Sequence, residues 1–236
     1  MKRRLIPALP AIVAAILLLT ALFFFKVIRV NGLFIARDAA WGVDVSQYQG
    51  EIDWDALVAQ GVRFAYIKAT EGSGTVDTCF ANNWENAAQA GVPAGAYHFF
   101  SFDSPAETQA QNYISVVPAA GAALPPAIDV ELYGAYKRSP KPRLEVIDEI
   151  RALSDALETR YGVKPVLYVT HRSYELYISG AGFENPLWVR DVYLSPYWAK
   201  DWFMWQYSDR GRLKGYDGEE AFVDLNAMNA KSKAFR

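Results

Sequence analysis

The sequence predicts an α/β protein: a modified TIM-type barrel preceded by one N-terminal transmembrane helix. Short apolar runs alternate with helical segments through most of the chain, which is typical of a mainly parallel sheet. Three further apolar runs near the end leave less room for helices between them. Five βα units followed by about three strands favour a degenerate barrel over an open sheet. The third observation is a long uncharged stretch at the start of the chain.

That N-terminal stretch runs from Leu5 to Phe25 and contains 21 uncharged, mostly apolar residues. A helix of this length spans roughly 32 Å, about the thickness of the hydrocarbon core of a bilayer. Basic residues precede it, and no small-residue cleavage site follows Phe25 directly. We therefore expect an uncleaved signal anchor at residues 1–30 and a linker at residues 31–40. A cleaved signal peptide and a buried core helix are the alternatives.

After the linker the elements follow in a regular order. The predicted strands are Val43–Ser46, Phe64–Ala69, Ala94–Phe100, Pro126–Glu131, Pro165–Thr170, Leu187–Val189, Phe203–Tyr207 and Ala221–Leu225. The predicted helices are Ala56–Gln60, Phe80–Ala90, Pro105–Val117 and Leu144–Tyr161. Asp53 is the predicted N-cap of the first helix. Ser104 and Glu107 are predicted to form a capping box for the third.

Charge separates the leader from the body of the chain. Residues 1–30 hold five basic residues and no acidic residue, whereas the other 206 residues hold 19 basic and 26 acidic residues. An acidic body argues against nucleic-acid binding, which relies on clustered Lys and Arg. The single cysteine, Cys79, excludes an internal disulfide framework and a cysteine-based zinc site. Nucleotide binding has no support from a glycine-rich motif.

Four acidic residues lie at the ends of predicted strands: Asp44, Asp129, Glu131 and Asp224. Side chains at the C-terminal ends of barrel strands face the active-site mouth. Asp129 and Glu131 are two residues apart, so they share one face of a strand at a spacing of roughly 6–7 Å. If the barrel closes, the first and last strands become neighbours, and Asp44 and Asp224 lie side by side. The sequence thus predicts an acidic floor of four carboxylates.

Three interpretations of this floor remain open. The acids could cap strands or pair with Lys and Arg, or they could bind Mg²⁺ or Ca²⁺. In the third, they catalyse glycoside hydrolysis: one acid protonates the leaving oxygen while another carboxylate stabilises the oxocarbenium-like centre or activates water. Like charges at this spacing raise one pKa, which suits a general acid. The 7 Trp, 14 Tyr and 13 Phe residues suit either a sugar cleft or core packing.

Six motifs occur in a specific order between Trp41 and Asn226. They are Gly42–Ser46 with Gln49, Phe64–Gly72, Gly95–Phe99 followed by Gln109 and Ala110, Asp129–Glu131, Trp205–Tyr207 and Val223–Asn226. Together they resemble glycoside hydrolase family 25, the Chalaropsis-type lysozymes or N-acetylmuramidases. The resemblance implies a (β/α)5β3 barrel over residues 41–230. It also implies hydrolysis of the β-1,4 bond between N-acetylmuramic acid and N-acetylglucosamine in bacterial peptidoglycan.

By the same resemblance, Glu131 is the general acid and Asp129 orients or assists, with the substrate's N-acetyl group. Asp44 and Asp224 complete the floor. The substrate-binding residues that it implies are Tyr97, His98, Lys68, Glu71, Tyr168, Trp205 and Gln206. Packing roles stay open for His98 and Trp205, and an ion pair beside the floor stays open for Lys68 and Glu71. Arg190 and Asp191 follow Leu187–Val189 where family members often carry Leu-Trp-Ile-Ala, so the shape of the sugar subsites is left open.

The expected partners are peptidoglycan glycan strands and, through the N-terminal helix, a membrane. No nucleic acid, metal or cofactor is expected, and a monomer is expected. The expected location is the bacterial cell membrane, single-pass, with the catalytic domain on the periplasmic or extracellular side, or secretion if the leader is cleaved. A non-catalytic peptidoglycan-binding protein on the same barrel and a metal-dependent hydrolase are the rival functions.

Overall fold

The computed structural model describes residues 8–24, 31–36 and 38–229. Its helices are α1 (Ala8–Phe24), α2 (Trp54–Ala59), α3 (Phe80–Gln89), α4 (Ala106–Val116), α5 (Arg143–Tyr161) and α6 (His171–Ser173). Its strands are β1 (Trp41–Val45), β2 (Ala65–Glu71), β3 (Thr75–Val76), β4 (Ala94–Phe99), β5 (Ala127–Val130), β6 (Val166–Thr170), β7 (Leu187–Arg190), β8 (Met204–Gly211) and β9 (Val223–Met228).

Eight of these strands, all except the short hairpin strand β3, close into a barrel. The order around it is β1-β9-β8-β7-β6-β5-β4-β2, and β2 pairs back with β1. The barrel strands from β1 through β8 are parallel to one another, whereas β9 is antiparallel to both of its neighbours. Five βα units are thus followed by three strands. The predicted modified barrel is confirmed. The sequence analysis did not predict that the last strand runs antiparallel to its neighbours.

Aromatic rings pack together inside the barrel. Tyr66, Tyr97, Tyr168 and Trp188 belong to one buried cluster. The Trp188 ring centroid lies 4.9 Å from that of Tyr66 and 4.8 Å from that of Tyr168. Aliphatic residues on the opposite faces of the same strands, such as Ile67, belong to a second buried cluster that includes residues of α2 to α5. Because side chains alternate across a strand, one face builds the interior and the other packs against helices.

The N-terminal caps of α2 and α4 can be compared with the predicted ones. Asp53 caps α2 as predicted, since its Oδ1 accepts a hydrogen bond from the Ala56 backbone N–H at 3.0 Å. The predicted capping box of Ser104 and Glu107 is wrong: Pro105 occupies the N-cap position of α4 without a side-chain cap. The carboxylate of Glu149, from α5, instead accepts a hydrogen bond from the Ala106 N–H. A tertiary partner has replaced the local cap.

The N-terminal prediction requires a correction. The described part of the N-terminal helix, α1, runs over 17 residues from Ala8 to Phe24. Within the described ranges, no helix is both long and apolar enough to cross a membrane. The predicted transmembrane helix, and the membrane contact and single-pass location that depend on it, are therefore unsupported. Leu5 and Phe25, the ends of the predicted segment, lie outside the described residues.

Candidate active site

A cleft of about 490 Å³ opens at the end of the barrel where the parallel strands terminate. All four predicted acids line it: Asp44, Asp129, Glu131 and Asp224. Strand direction explains the convergence, because Asp44 lies near the end of β1 and Glu131 directly follows β5. Asp224 reaches the same place from the start of β9, which is antiparallel to its neighbours. The predicted acidic floor therefore exists as one surface.

Asp44 and Asp224 face each other across β1 and β9 as direct register partners, which confirms the conditional prediction of a side-by-side pair. We call them the amide-held pair, because side-chain amides bind both. Gln206 Nε2 donates to Asp44 Oδ2 and to Asp224 Oδ2, each at 3.0 Å. Asn226 Nδ2 donates to Asp44 Oδ2 at 2.7 Å. These bonds fix the two carboxylates before any substrate enters.

The two amides are themselves oriented by aromatic donors. The Tyr168 hydroxyl donates to Gln206 Oε1 at 2.9 Å, and Trp188 Nε1 donates to Asn226 Oδ1 at 2.8 Å. Each amide therefore has its oxygen engaged, and its NH₂ group points at a carboxylate. Gln206 and Asn226 are almost fully buried, at 1% and 0% exposure. A buried polar network with satisfied members is rigid, so the amide-held pair has one preferred geometry.

Asp129 and Glu131 form the second half of the floor, which we call the β5 pair. Asp129 is buried at 9% exposure, and its Oδ1 has no hydrogen-bond partner among the described residues. Glu131, two residues further along the chain, is half-buried. A buried carboxyl oxygen without a partner is costly when charged, so this pair favours protonated states.

The electrostatics of the floor follow from burial and crowding. Burial and the charges of Glu131 and Asp44 raise the pKa of Asp129 well above its usual value. Burial also raises the pKa of Glu131, against the opposing charges of Arg190 and Lys137. Burial and the charge of Asp44 raise the pKa of Asp224 to about 9. Four acids that share one low-dielectric cleft cannot all be ionised, so the floor retains protons near neutral pH.

Basic side chains line the cleft together with the acids: Lys68, Arg190 and Lys137. Lys68 Nζ is 2.7 Å from Glu71 Oε2 and 4.9 Å from the centre of the Phe99 ring. Arg190 Nη2 is 2.9 Å from Asp209 Oδ2. The positive charges of Lys68, Arg190 and Lys137 each lower the pKa of Glu131, against the effect of burial.

The structure divides the predicted substrate-binding residues into two sets. Those that line the cleft are Tyr97, Lys68, Tyr168 and Gln206. His98 and Trp205 are 0% and 1% exposed and lie outside the cleft lining. The His98 ring bonds to Thr70 Oγ1 at 2.7 Å and to Gln109 Oε1 at 3.0 Å, while Trp205 Nε1 donates to the Asp191 carbonyl at 2.8 Å. Glu71 also lies outside the lining and is paired with Lys68.

Strand periodicity explains this division. Tyr97 and His98 are consecutive in β4, and Trp205 and Gln206 are consecutive in β8, so only one of each pair faces the interior. The same rule places residues to which the sequence analysis gave no site role. Trp188 and Arg190 are two apart in β7 and both line the cleft, so Arg190, whose effect on the subsites was left open, belongs to it. Asn226 is two residues after Asp224 in β9 and binds the Asp44 carboxylate.

The cleft has the groups for acid-assisted bond cleavage. It combines the β5 pair, whose surroundings favour protonation, with a second pair of acids held in a fixed geometry by amide hydrogen bonds, and aromatic side chains line the same space. Among the described residues, no group of three or more His, Cys, Asp or Glu side chains is placed to hold a metal ion.

A family model, related proteins and a solved structure all match this chain. A family model described as Glycosyl hydrolases family 25 matches residues 43–216. Uncharacterized protein YegX of Escherichia coli is 35% identical over 195 residues, which cover 80% of this chain and 69% of that protein. Lysozyme M1 of Streptomyces globisporus is 32% identical over 206 residues, covering 81% and 68%. The structure of a family 25 glycosyl hydrolase from Bacillus anthracis matches with a TM-score of 0.75 and 46% identity, covering 83% and 91%.

Proposed function

The chain belongs to glycosyl hydrolases family 25, and from this premise we propose that it cleaves the β-1,4 bond between N-acetylmuramic acid and N-acetylglucosamine in peptidoglycan. It is a glycoside hydrolase of the lysozyme or muramidase type, the type for which its relative Lysozyme M1 is named. The observation that carries the finer proposal is the convergence of Asp44, Asp129, Glu131 and Asp224 in one cleft with the β5 pair kept prone to protonation.

Glu131 is proposed as the general acid. Burial raises its pKa, which favours the protonated form that a general acid needs. That proton passes to the glycosidic oxygen as the bond from this oxygen to the anomeric carbon breaks. The leaving sugar thereby departs as a neutral alcohol. Glu131, now a carboxylate, then accepts a proton from the water that attacks the anomeric carbon.

Asp129 is proposed to assist at the same carbon, with the substrate's N-acetyl group. Its unpartnered Oδ1 and its position two residues before Glu131 suit contact with a group that arrives with the substrate. The buried oxygen gains a partner only when the sugar is bound. An interaction formed in the complex and strengthened as charge develops contributes to rate rather than to binding alone.

Asp44, the member of the amide-held pair that both amides bind, is proposed to supply fixed negative potential beneath the oxocarbenium-like centre, while Asp224 keeps its proton near neutral pH. Gln206 and Asn226 orient Asp44 without neutralising it, because neutral amides donate hydrogen bonds but carry no charge. Groups that are oriented in advance stabilise a developing charge without a cost of reorganisation. Tyr97 and Tyr168, which line the cleft, are proposed to contact the sugar rings with Lys68 and Gln206.

The proposed domain limits are a leader at residues 1–30, a linker at 31–40 and the catalytic barrel at 41–230. The barrel strands described here run from Trp41 to Met228. Because peptidoglycan lies outside the cytoplasmic membrane, we propose that the barrel acts in the extracytoplasmic or extracellular space.

The test is a digest of purified peptidoglycan followed by mass spectrometry of the released fragments. The proposal expects muropeptides with N-acetylmuramic acid at the new reducing end, and none from the isosteric variant Glu131→Gln. Reducing ends on N-acetylglucosamine would contradict the proposed bond. Equal release from wild type and variant would contradict the role of Glu131. Wall that is bound but not cleaved by the wild type would favour the non-catalytic rival.

A further inference from the structure

Arg190 occupies a position in the cleft for which the proposed mechanism has no use. It is the last residue of β7 and is in register with Thr170 of β6 and Gln206 of β8, and all three side chains line the cleft. Its guanidinium is paired with Asp209 at 2.9 Å, and the two side chains are 31% and 27% exposed. The ion pair is therefore partly shielded from water and lies at the level of the acidic floor.

Ionisable groups from five other parts of the barrel interact electrostatically with this guanidinium. They are Asp44 of β1, Glu131 after β5, Tyr168 of β6, Asp209 of β8 and Asp224 of β9. The other cations of the cleft, Lys68 and Lys137, act on the β5 pair. Arg190 instead acts on both halves of the floor, because its charge opposes the burial that raises the pKa of Asp44, of Asp224 and of Glu131.

We propose that Arg190 is a positioning residue for the hydrolytic reaction: it is the internal counter-ion of the acidic floor, and Asp209 holds it in place and moderates its charge. This inference rests on the proposed muramidase function, since it concerns the ionisation of the same carboxyl groups. Arg190 acts through Asp44, Asp224 and Glu131 and is not assigned a contact with the reacting atoms. A guanidinium suits the role because it stays protonated in proteins.

The two members of the ion pair then have opposite effects. Removal of Arg190 takes a positive charge from the floor and keeps the negative charge of Asp209, so the acids bind protons more tightly. Removal of the Asp209 charge leaves Arg190 uncompensated, so the acids release protons more readily. Asp209 itself contributes to the raised pKa of Asp224, after burial and Asp44. If the ion pair only stabilised the local structure, both variants would lose it equally. The pKa values of the floor acids would then not move in opposite directions.

The experiment measures kcat/KM on soluble peptidoglycan as a function of pH for the full chain and its variants Arg190→Met, Arg190→Lys and Asp209→Asn. The acid limb of the profile is expected to move up by about 1 pH unit in Arg190→Met, the lower end of the effect of a nearby opposite charge. It is expected to move down in Asp209→Asn. Arg190→Lys keeps the charge and is expected to recover most of the shift.

A matched control uses the ion pair of Lys164 and Glu184, which are 3.4 Å apart and precede β6 and β7 at the opposite end of the barrel. Lys164→Met and Glu184→Gln make the same kinds of change in charge there. Neither is expected to move the profile. A shift of the control variants as large as those of the cleft variants would show a general effect of net charge and would overturn the inference.

A second readout separates this inference from the proposed function. Carboxyl-carbon NMR titration of Asp44, Asp224 and Glu131 in folded wild type, Arg190→Met and Asp209→Asn reports their ionisation without any substrate. Titration midpoints that rise in the first variant and fall in the second support the counter-ion role. Shifts of the same sign, or none in either variant, overturn it.

If the wild type does not cleave peptidoglycan, the proposed function fails, and the titration still decides the role of the ion pair. If Arg190→Met does not fold, Asp209→Asn alone decides, because an unchanged midpoint there contradicts the inference.

Discussion

The two halves of the acidic floor carry the same chemical groups in opposite states of constraint. In the amide-held pair, Asp44 accepts hydrogen bonds from Gln206 and Asn226, and Asp224 accepts one from Gln206. In the β5 pair, Asp129 keeps a buried oxygen without a hydrogen-bond partner among the described residues. The first half has its hydrogen-bond partners within the chain, whereas the second leaves one buried oxygen without a partner among the described residues.

From this difference we expect Asp44 to supply a fixed charge and the β5 pair to transfer protons. A carboxylate that must present a steady negative potential gains from amide donors that hold it in one orientation. A carboxyl group that must give up and regain a proton gains from the absence of such donors, because each hydrogen bond to the charged form would lower its pKa. The predictions below test whether the two halves respond to substitution in these two ways.

The largest effect is expected from Glu131→Gln in the β5 pair. Loss of a general acid lowers kcat by about 10² to 10⁴-fold. The melting temperature is expected to stay unchanged or to rise, because a neutral amide replaces a carboxyl group whose burial opposes its charge. Activity on purified wall and thermal unfolding of the same preparation check both statements. A large loss of stability together with activity would show that Glu131 is as structural as the amide-held pair.

A smaller effect on rate with a clear effect on stability is expected from Gln206→Glu. This change removes the donor to both members of the amide-held pair and places a further carboxyl group beside them. Loss of a preorganised donor costs roughly 10²-fold in kcat, and the disrupted buried network costs about 1–3 kcal/mol of unfolding free energy. The matched control is Gln89→Glu on the exposed surface of α3, which is expected to leave activity unchanged. If Gln206→Glu and Gln89→Glu showed equal activity and equal stability, the amide hydrogen bonds would no longer distinguish the amide-held pair from the β5 pair.

The pH dependence of stability is expected to carry the signature of Asp224. Burial and Asp44 raise its pKa from 3.8 to about 9 in the folded protein. Between these two values the folded chain keeps a proton that the unfolded chain releases, so the free energy of unfolding falls as pH rises through that window. Asp224→Asn cannot release the proton and is expected to flatten the decline, as measured by urea unfolding at several pH values. Asp148→Asn, an exposed control, is expected to keep the wild-type slope.

The smallest effect is expected from Trp188→Phe, which removes the indole donor to Asn226 while keeping an aromatic ring. Loss of one buried hydrogen bond costs about 1 kcal/mol of unfolding free energy. The natural control is Trp54→Phe, because Trp54 is 2% exposed and its Nε1 has no hydrogen-bond partner within the described part of the chain. We expect Trp188→Phe to be the more destabilising of the two. The opposite order in chemical denaturation would show that the donor to Asn226 does not support the network.

Much of the site could be predicted because chemistry and position coincide in the sequence. Carboxylates within apolar runs are rare for a physical reason, so the positions of Asp44, Asp129 and Asp224 along the chain are enough to indicate a site. Which aromatic and basic residues face that site was harder to predict from motifs alone. His98 and Trp205 belong to motifs that also contain cleft residues, yet strand alternation turns them away. The alternation rule, applied at each motif, would have separated Tyr97 from His98 and Gln206 from Trp205.

The sequence by itself determined the order of strands and helices and the placement of four acids at strand ends, because apolar periodicity and local chemistry are read over a few residues. Only the tertiary structure decided how the barrel closes. It set the antiparallel direction of β9, the pairing of Asp44 with Asp224, and the Gln206 and Asn226 bonds that hold them. It also replaced the predicted local cap of α4 with Glu149. These outcomes depend on contacts between residues far apart in the chain, whose geometry is set by the packing of the whole barrel.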